Sequence, residues 1–200
     1  MTSRQPLPLD LCGVLLAAGA GSRFNGSTHK LRASIDGVAV WRRAARAAVE
    51  AGYTTIIVVT GAVDLQPTAD EQRRYRFVHN PNWAAGQATS LQVAVAQAAS
   101  LGARFVVVGL ADQPFVTAEA WRRVALADPA APIVVATYDG VRGPNPVRLA
   151  AEVWPLLPED GDLGAREVIR AHPLSVTEIE CVGSSADIDT LEDLERWKSF

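Results

Sequence analysis

The chain has few cysteines and no long apolar segment, and both shortages exclude whole classes of protein. Its 200 residues include only Cys12 and Cys181, which lie far apart and form no Cys-x-x-Cys pair. A disulfide framework or a zinc site is therefore not expected. The longest apolar run, residues 11–20, contains glycine and is too short to cross a bilayer. Since residues 1–10 also lack the apolar core of a signal peptide, we expect a cytoplasmic protein with no membrane partner.

Concentrated positive charge is missing as well. The formal net charge is −3, and the arginines are scattered apart from a few adjacent pairs. Because binding to a nucleic-acid duplex needs a basic face, no nucleic-acid partner is expected. Hydrophobic residues make up 48% of the chain and charged residues 20%, which is typical of a globular protein. A chain of this length can bury a full core, so we predict a single domain over residues 1–200.

What the chain does contain is a regular alternation of apolar runs and segments of helical periodicity. Predicted strands cover residues 11–17, 55–60, 76–79, 105–109, 133–137 and 176–181. Predicted helices cover residues 38–51, 88–100, 117–128, 150–157, 165–172 and 191–200. Strands that are apolar throughout and alternate with helices indicate a parallel sheet covered on both faces. We therefore predict an α/β fold, a three-layer, doubly wound and mostly parallel sheet.

Ligands of such a sheet bind beyond the carboxyl ends of its strands, so the loops at those ends are where functional residues are expected. These loops are residues 17–30, 60–61, 80–89, 110–114 and 138–146. The first of them has the composition of a phosphate-binding segment, since residues 16–30 read LAAGAGSRFNGSTHK. Its glycines let a ligand approach the backbone, and Arg23 and Lys30 supply positive charge for phosphates.

Two known phosphate-binding patterns fit this loop poorly. The dinucleotide fingerprint G-x-G-x-x-G needs a small residue where Phe24 stands, and the second strand ends in Thr60-Gly61, with no acidic residue at its end for a ribose. The P-loop pattern fails because Ser27 replaces its lysine. A tight turn with surface charges remains the structural alternative.

Aspartates follow two later strands. Asp112 comes directly after the strand 105–109, and Asp187 and Asp189 lie in the stretch SADIDTLEDL. Carboxylates at a strand end are suited to a hard cation such as magnesium, which takes a few carboxylates, water and substrate phosphates. Residues two apart in an extended segment point to one side. The alternative is a turn or a helix cap, for which Thr190 or Asp189 is suited.

The motifs together resemble one family. The pattern L-A-A-G-x-x-x-R…K-L at residues 16–31 is similar to the signature loop of the molybdenum-cofactor cytidylyl- and guanylyltransferases, which are nucleotidyltransferases. The family segments G-D-M-P and D-I-D-T-P-E-D-L have counterparts at residues 111–114 and 187–194. Residues 80–91, 140–147 and 161–166 resemble its N-P-x-x-x-x-G-x-x-x-S-L, G-x-R-G-x-P-V and G-D-x-G-A-R segments. The resemblance covers residues 11–197.

The resemblance implies a role for each matching residue. The nucleotide would lie along Ala17, Ala18, Gly19, Gly21, Arg23, Lys30, Asn80, Gly86 and Ser90. The magnesium ligands would be Asp112, Asp187 and Asp189, and the catalytic residues Arg23, Lys30 and Asp112. The second substrate would contact Arg142, Gly143, Pro146, Gly161, Asp162 and Arg166. One departure is that the family has R-x-G-x-x-K, whereas two extra residues separate Arg23 from Lys30, so the loop must bulge.

The implied reaction is transfer of a nucleoside monophosphate from an NTP to a phosphate of a molybdopterin-type cofactor, with release of pyrophosphate. The cofactor is Mg²⁺, and a molybdoenzyme would be the recipient partner. Ala17-Ala18-Gly19 resembles the cytidylyl branch, which favours CTP over GTP. A phosphate monoester has a second pKa of ~6, so no general base is needed, and His29, His79 and His172 form no recognisable constellation. The alternatives are a different phosphorylated acceptor, such as a sugar phosphate or a phosphoenolpyruvate-like acid, and a non-catalytic nucleotide- or cofactor-binding chaperone.

Overall fold

A computed structural model describes residues 6–198 of the chain. Residues 1–5, part of the segment searched for a signal peptide, and residues 199–200, the end of the last predicted helix, lie outside the described residues. The strands are β1 (Leu11–Ala17), β2 (Ser34–Ile35), β3 (Val38–Ala39), β4 (Ile56–Thr60), β5 (Arg76–His79), β6 (Phe105–Leu110), β7 (Ile133–Tyr138), β8 (Val141–Ala150) and β9 (Val176–Glu180). The α-helices are α1 (Val40–Ala51), α2 (Ala69–Arg74), α3 (Gln87–Ser100), α4 (Ala118–Ala125), α5 (Ala165–Ala171) and α6 (Leu191–Lys198).

Seven of these strands form one sheet in the order β5-β4-β1-β6-β8-β7-β9. β8 is antiparallel to both β6 and β7, while the pairs β5/β4, β4/β1, β1/β6 and β7/β9 are parallel. Six strands therefore share one direction. The short strands β2 and β3 form a separate antiparallel pair. The predicted α/β fold with a doubly wound, mostly parallel sheet is confirmed.

The central strand β1 explains why the sheet is covered on both faces. Every residue of β1 is buried, and alternate side chains enter two different hydrophobic clusters. Leu15 belongs to the cluster that contains Trp41 of α1 and Trp121 of α4. Val14 belongs to the cluster that contains Leu91 of α3 and Ile169 of α5. This gives three layers. None of the helices in residues 6–198 has the length and hydropathy that a membrane span requires.

Two local predictions were wrong, and one helix was not predicted. Residues 138–146 were expected to be a loop, but they form a hairpin in which β8 follows β7 after a turn at Asp139 and Gly140. The helix expected from residue 38 begins at Val40, because residues 38–39 pair in β3. Helix α2 was not expected. It is short and has no apolar stripe, so it buries no side chain and gives no helical periodicity in the sequence. Thr68 and Glu71 form a complete capping box at its start.

The chain order places a crevice at the carboxyl ends of β1 and β6. From β1 the chain builds β4 and β5 on one side, and then crosses to β6 on the other side. The strand order therefore reverses at β1, and doubly wound sheets bind their ligands beyond the carboxyl ends of the strands at such a point. The loop that begins at Ala18 and the turn that contains Asp112 both start at this point.

Candidate active site

A cavity of about 450 Å³ opens at this crevice. Most of the predicted nucleotide-binding residues line it, namely Ala17, Ala18, Gly19, Gly21, Arg23, Lys30, Gly86 and Ser90. The predicted metal ligands Asp112 and Asp189 line it as well, as does Asp162. Side chains from the start, the middle and the end of the chain therefore share one cavity. The sequence did not single out Trp83 and Gln87, which form part of its wall.

The glycine-rich loop after β1 is held by a histidine. The backbone N–H of Leu31 donates to His29 Nδ1 at 3.2 Å, so His29 Nε2 carries the proton and donates to the carbonyl of Gly19, also at 3.2 Å. Burial lowers the pKa of His29, which favours this neutral form. Gly21 has a φ of +62°, and a Cβ atom there would lie 2.9 Å from His29 Nε2, so the loop requires glycine at this position.

The two extra residues between Arg23 and Lys30 do not separate their charges. Phe24 is buried and fills the turn, where it lies against Gly26. Arg23 Nη2 lies 2.8 Å from Asp189 Oδ2, and Lys30 Nζ lies 2.7 Å from Asp189 Oδ1. Both cations therefore converge on one carboxylate although the loop is longer than the family pattern.

Lys30 also binds Asp112, so its ammonium lies between two carboxylates. Nζ is 2.6 Å from Asp112 Oδ2, and the side chains of Lys30 and Asp112 are only 11% and 18% exposed. Burial by itself lowers the pKa of Lys30, but the charges and hydrogen bonds of Asp112 and Asp189 outweigh it and raise the pKa overall. Lys30 is therefore a buried, charged side chain whose positive charge depends on these two aspartates.

The remaining predicted ligand, Asp187, faces a different partner. Its Oδ1 accepts a hydrogen bond from Gln113 Nε2 at 2.5 Å. The next residue, Ile188, is fully buried and donates its backbone N–H to the carbonyl of Asp112 at 2.8 Å. Burial raises the pKa of Asp187. The Gln113 hydrogen bond opposes this, and the charges of Asp112 and Asp189 add to it.

Gln113 is a site residue that the sequence did not single out. It is buried, and its amide bonds both Asp187 and the carbonyl of Ser185, so it holds the last acidic segment against the turn after β6. A polar residue directly after Asp112 in an otherwise apolar strand end was the available signal. Residue Thr190 caps α6, as expected for one member of this segment, since its Oγ1 accepts from the N–H of Asp193 at 3.1 Å.

Asn80, also predicted to bind the nucleotide, does not line the cavity but is hydrogen-bonded to Ser90, which does. It is buried, and its Nδ2 donates to Thr89 Oγ1 at 2.8 Å and to Ser90 Oγ at 2.9 Å, while its Oδ1 accepts from the N–H of Asn82. Asn80 therefore positions Ser90 and the turn that contains Trp83.

Gly86 and Gly161 lie where the segments 80–91 and 161–166, each of which resembles a family motif, pack against each other. The N–H of Ala88 donates to the carbonyl of Gly161 at 2.9 Å, and the N–H of Gly161 donates to the carbonyl of Ala85 at 2.8 Å. A Cβ atom on Gly86 would lie 2.4 Å from the Gly161 backbone. Gly161 consequently packs on the start of α3, and the adjacent Asp162 reaches the first cavity.

Three other predicted second-substrate residues line a separate cavity of about 340 Å³. Arg142, Gly143 and Arg166 line it, together with Arg170, which the sequence did not single out. Arg170 lies four residues after Arg166 in α5, and this spacing puts both on one helix face. The side chain of Arg142 pairs with Glu178, with Nε 3.0 Å from Oε1.

A small pocket of about 30 Å³ lies between the two cavities. It shares Leu16 and Leu110 with the first cavity and Arg166 with the second. Asn145 also lines it, and Pro146 follows Asn145 through a cis peptide bond. The predicted nucleotide and second-substrate residues thus lie near each other, and Pro146 is in β8, the strand that also carries Arg142 and Gly143.

The family model of the MobA-like NTP transferase domain matches residues 13–176. No curated protein sequence matches the chain. Among solved structures, Rv0371c from Mycobacterium tuberculosis H37Rv is similar with a TM-score of 0.77 and 28% identity, over 95% of this chain and 98% of that chain. The manganese complex of Rv0371c has a TM-score of 0.73 and 27% identity, over 94% and 98%. A nucleotidyl transferase from Methanothermobacter thermautotroptrophicus has a TM-score of 0.76 at 21% identity, over 94% and 96%, and shows the shared fold.

Proposed function

Since the chain belongs to the MobA-like NTP transferase family, we propose that it is a magnesium-dependent nucleotidyltransferase that transfers CMP from CTP to a phosphate of a molybdopterin-type cofactor. Pyrophosphate is the second product. The observation that carries the proposal is the convergence in one cavity of the glycine-rich loop, two cations and two carboxylates. A triphosphate needs such cations, and a metal that accompanies it needs such carboxylates.

The nucleotide would lie along Ala17, Ala18 and Gly19, whose backbone forms one wall of the cavity. Trp83 is half-buried in the wall contributed by the turn before α3, so it offers an aromatic face for a base. The choice of cytosine rests on the resemblance of Ala17-Ala18-Gly19 to the cytidylyl branch. Arg23 is 75% exposed and can turn toward phosphates that enter from the solvent side.

The residues present fit a divalent metal ion. Asp112 Oδ1 is buried and has no hydrogen-bond partner, and it lies beside a second carboxylate, Asp189, in the same cavity. Within residues 6–198, no group of three or more His, Cys, Asp or Glu side chains is arranged to hold a metal by itself. Magnesium binds readily through one or two carboxylates plus substrate phosphates, so the nucleotide would complete the coordination. The similar Rv0371c has been solved with manganese.

The chemistry needs positioning and charge more than proton transfer. The attacking group is a phosphate monoester oxygen of the acceptor, which is largely ionised at neutral pH because its second pKa is ~6. Arg23 and Lys30 would hold the β- and γ-phosphates and stabilise the negative charge of the leaving pyrophosphate. Asp112, together with Asp189 or Asp187, would hold the magnesium, which would neutralise further negative charge on the phosphates. Gln113 would keep Asp187 in place.

The acceptor would occupy the second cavity. Arg142, Gly143 and Arg166 line that cavity, and guanidinium groups bind phosphates through paired hydrogen bonds. Asp162, next to Gly161, lines the nucleotide cavity, and Pro146 lies between Asn145 and Val147, which line the small pocket. This arrangement also suits another phosphorylated small molecule, such as a sugar phosphate or a phosphoenolpyruvate-like acid. A molybdoenzyme as the recipient of the product follows only from the molybdopterin proposal.

The test is a pyrophosphate-release assay with magnesium, each of the four NTPs, and purified molybdopterin cofactor. We expect release with CTP and none from the Asp112→Ala variant, whose circular dichroism should match that of the wild type. Asp70→Ala is the matched control, because Asp70 is an exposed aspartate in α2, outside the cavity, and should retain full turnover. Retained turnover in a folded Asp112→Ala variant would refute the role of Asp112.

Each other outcome selects an alternative. Release with GTP keeps the reaction but changes the nucleotide. Release only with a sugar phosphate or a phosphoenolpyruvate-like acid keeps the site but changes the acceptor. Tight nucleotide binding without pyrophosphate release with any acceptor supports a nucleotide- or cofactor-binding chaperone.

A further inference from the structure

The ammonium group of Lys30 occupies the place between the two carboxylates that face the cavity. Nζ lies 2.6 Å from Asp112 Oδ2 and 2.7 Å from Asp189 Oδ1, and Arg23 holds the other oxygen of Asp189 at 2.8 Å. Three of the four carboxylate oxygens are therefore bound by cationic side chains, and the fourth, Asp112 Oδ1, is buried without a partner.

A divalent ion and this lysine compete for the same oxygens. Magnesium binds oxygen at about 2.0–2.1 Å, which leaves no room for an ammonium group in hydrogen-bond contact with both carboxylates. Two like charges would also lie within a few ångströms of each other in a poorly solvated place, because the Lys30 side chain is only 11% exposed. Asp112 and Asp189 can therefore ligate a metal together only after Lys30 leaves at least one of them.

Lys30 needs a new anionic partner when it leaves. Its stem passes under the glycine-rich loop, since a Cβ atom on Gly21 would lie 3.2 Å from Lys30 Cγ. The flexible four-carbon stem of a lysine lets the ammonium move while the backbone stays in place. Residues 17–23 of the loop line the same cavity, so phosphates bound along the loop would lie within the range of this movement.

We propose that Lys30 is a displaceable internal cation that couples metal binding to nucleotide binding. Without a nucleotide, a divalent ion must displace a buried ammonium that then has no phosphate to bind, so the metal binds weakly. With a nucleotide, the phosphates accept the ammonium and free the carboxylates for the metal. The coupling is reciprocal, because a metal that displaces Lys30 also makes it available to the phosphates. The inference rests on the proposed function only in taking an NTP as the source of the phosphates.

The first test measures Mn²⁺ affinity of the full chain by electron paramagnetic resonance, without and with the α,β-methylene analogue of CTP. In the wild type we expect the analogue to tighten Mn²⁺ binding by about tenfold or more, which lies in the usual range of coupling between sites. Lys30→Met should bind Mn²⁺ without the analogue about tenfold more tightly than the wild type, and the effect of the analogue should shrink correspondingly. Equal Mn²⁺ affinity of the wild type and a folded Lys30→Met variant would overturn the proposal.

Two control variants separate this role from a general charge effect. Lys30→Arg keeps a cation between the carboxylates and should keep the weak Mn²⁺ binding of the wild type. Arg23→Met removes a cation from the same carboxylate, but Arg23 is 75% exposed and leaves at little cost. Its effect on Mn²⁺ affinity should therefore be clearly smaller than that of Lys30→Met. An equal effect of Arg23→Met and Lys30→Met would contradict displacement and indicate simple electrostatics.

A second test uses the wild-type protein and decides the question if Lys30→Met does not fold. The chain has two lysines, Lys30 and Lys198, so ¹³C-lysine labelling gives two side-chain signals, assigned with Lys198→Arg. We expect the Lys30 signal to move with Mg²⁺ and the CTP analogue together, and to stay in place with the same Mg²⁺ concentration alone. An unmoved signal in the presence of both ligands overturns the proposal, as does an equal shift with Mg²⁺ alone.

The tests remain separate from the proposed reaction. If no acceptor is turned over but Lys30→Met gains Mn²⁺ affinity, the lysine coupling stands and the reaction proposal fails. If CTP is turned over but Lys30→Met and wild type bind Mn²⁺ equally, the reaction stands and the coupling fails.

Discussion

Replacing Gly86 by alanine should damage the joint between the segments 80–91 and 161–166. Gly86 has φ 109° and ψ 172°, a combination that residues with a side chain rarely adopt. A Cβ atom there would lie 2.4 Å from both the carbonyl carbon and the oxygen of Gly161. Because the obstacle is backbone and not a flexible side chain, relief requires the segment around Gly161 to move away from α3.

The expected cost follows from these contacts. A non-glycine residue in this part of backbone space costs about 1–3 kcal/mol. Moving Gly161 also breaks the hydrogen bonds from the N–H of Ala88 and to the carbonyl of Ala85, each contributing about 1 kcal/mol net. We therefore expect Gly86→Ala to lower the free energy of unfolding by about 3–5 kcal/mol. Asp162 would move with Gly161, so the KM values for both substrates should rise.

Urea unfolding followed by circular dichroism measures the free-energy loss, and pyrophosphate release measures KM. Gly102→Ala is the matched control, because Gly102 also has positive φ, at +74°, but an added Cβ atom would meet nothing within 4 Å. The control should lose only about 1–2 kcal/mol from its backbone conformation and keep its KM values. A Gly86→Ala variant that is no less stable than Gly102→Ala would refute the reasoning about the joint.

Two further predictions concern the neighbouring loops. His29→Ala removes the bridge between the Gly19 carbonyl and the Leu31 N–H, so nucleotide KM should rise about fivefold, the equivalent of one hydrogen bond of about 1 kcal/mol. Because burial lowers the pKa of His29 below 6.5 in the folded protein, the unfolded chain binds the proton first as pH falls. The free energy of unfolding of the wild type should therefore fall below pH 6.5, and it should fall less for His29→Ala when both are measured by urea unfolding. Identical pH profiles of the two proteins would exclude a contribution of His29. Arg170→Gln removes a guanidinium group from the second cavity, so acceptor KM should rise about fivefold while nucleotide KM stays unchanged. The control is Arg73→Gln, which should change neither KM because Arg73 is exposed and lines neither cavity. A steady-state titration of each substrate checks this, and an unchanged acceptor KM for Arg170→Gln would count against an acceptor in that cavity.

The strands and most helices could be predicted because their signals are local. Residues 11–17 and 105–109 are continuous apolar runs, which are typical of strands buried on both faces, and they form β1 and most of β6. Glycine ends several elements where the periodicity stops, as Gly52 does after α1 in a left-handed conformation. The resemblance to the nucleotidyltransferase family, stated from the motifs, is confirmed by the matching family model. The single domain over residues 1–200 and the cytoplasmic location remain predictions.

β8 could not be predicted because its local signal contradicts its structure. The stretch YDGVRGPNPV is dense in glycine, proline and asparagine, which usually mark turns. It becomes a strand because β7, which directly precedes it, and β6, which lies further back in the chain, pair with it on its two sides. The buried Arg148 within β8 donates to backbone carbonyls after α4, including that of Ala127 at 2.7 Å, which no periodicity reveals.

By itself, the sequence determined the layered fold, the loops at the carboxyl ends of the strands and the residue types available there. Burial periodicity and the placement of glycine, arginine and aspartate are properties of short segments. Only the tertiary structure decided which side chains meet. Lys30 pairs with Asp112 and Asp189, which lie far along the chain and come together only because β1 and β6 are neighbours and Ile188 anchors the last acidic segment. The tertiary structure also decided that Asp187 binds Gln113, whereas the other two aspartates bind Lys30. Hydrogen bonds and charge pairs act over a few ångströms, so their partners depend on packing and not on position in the chain.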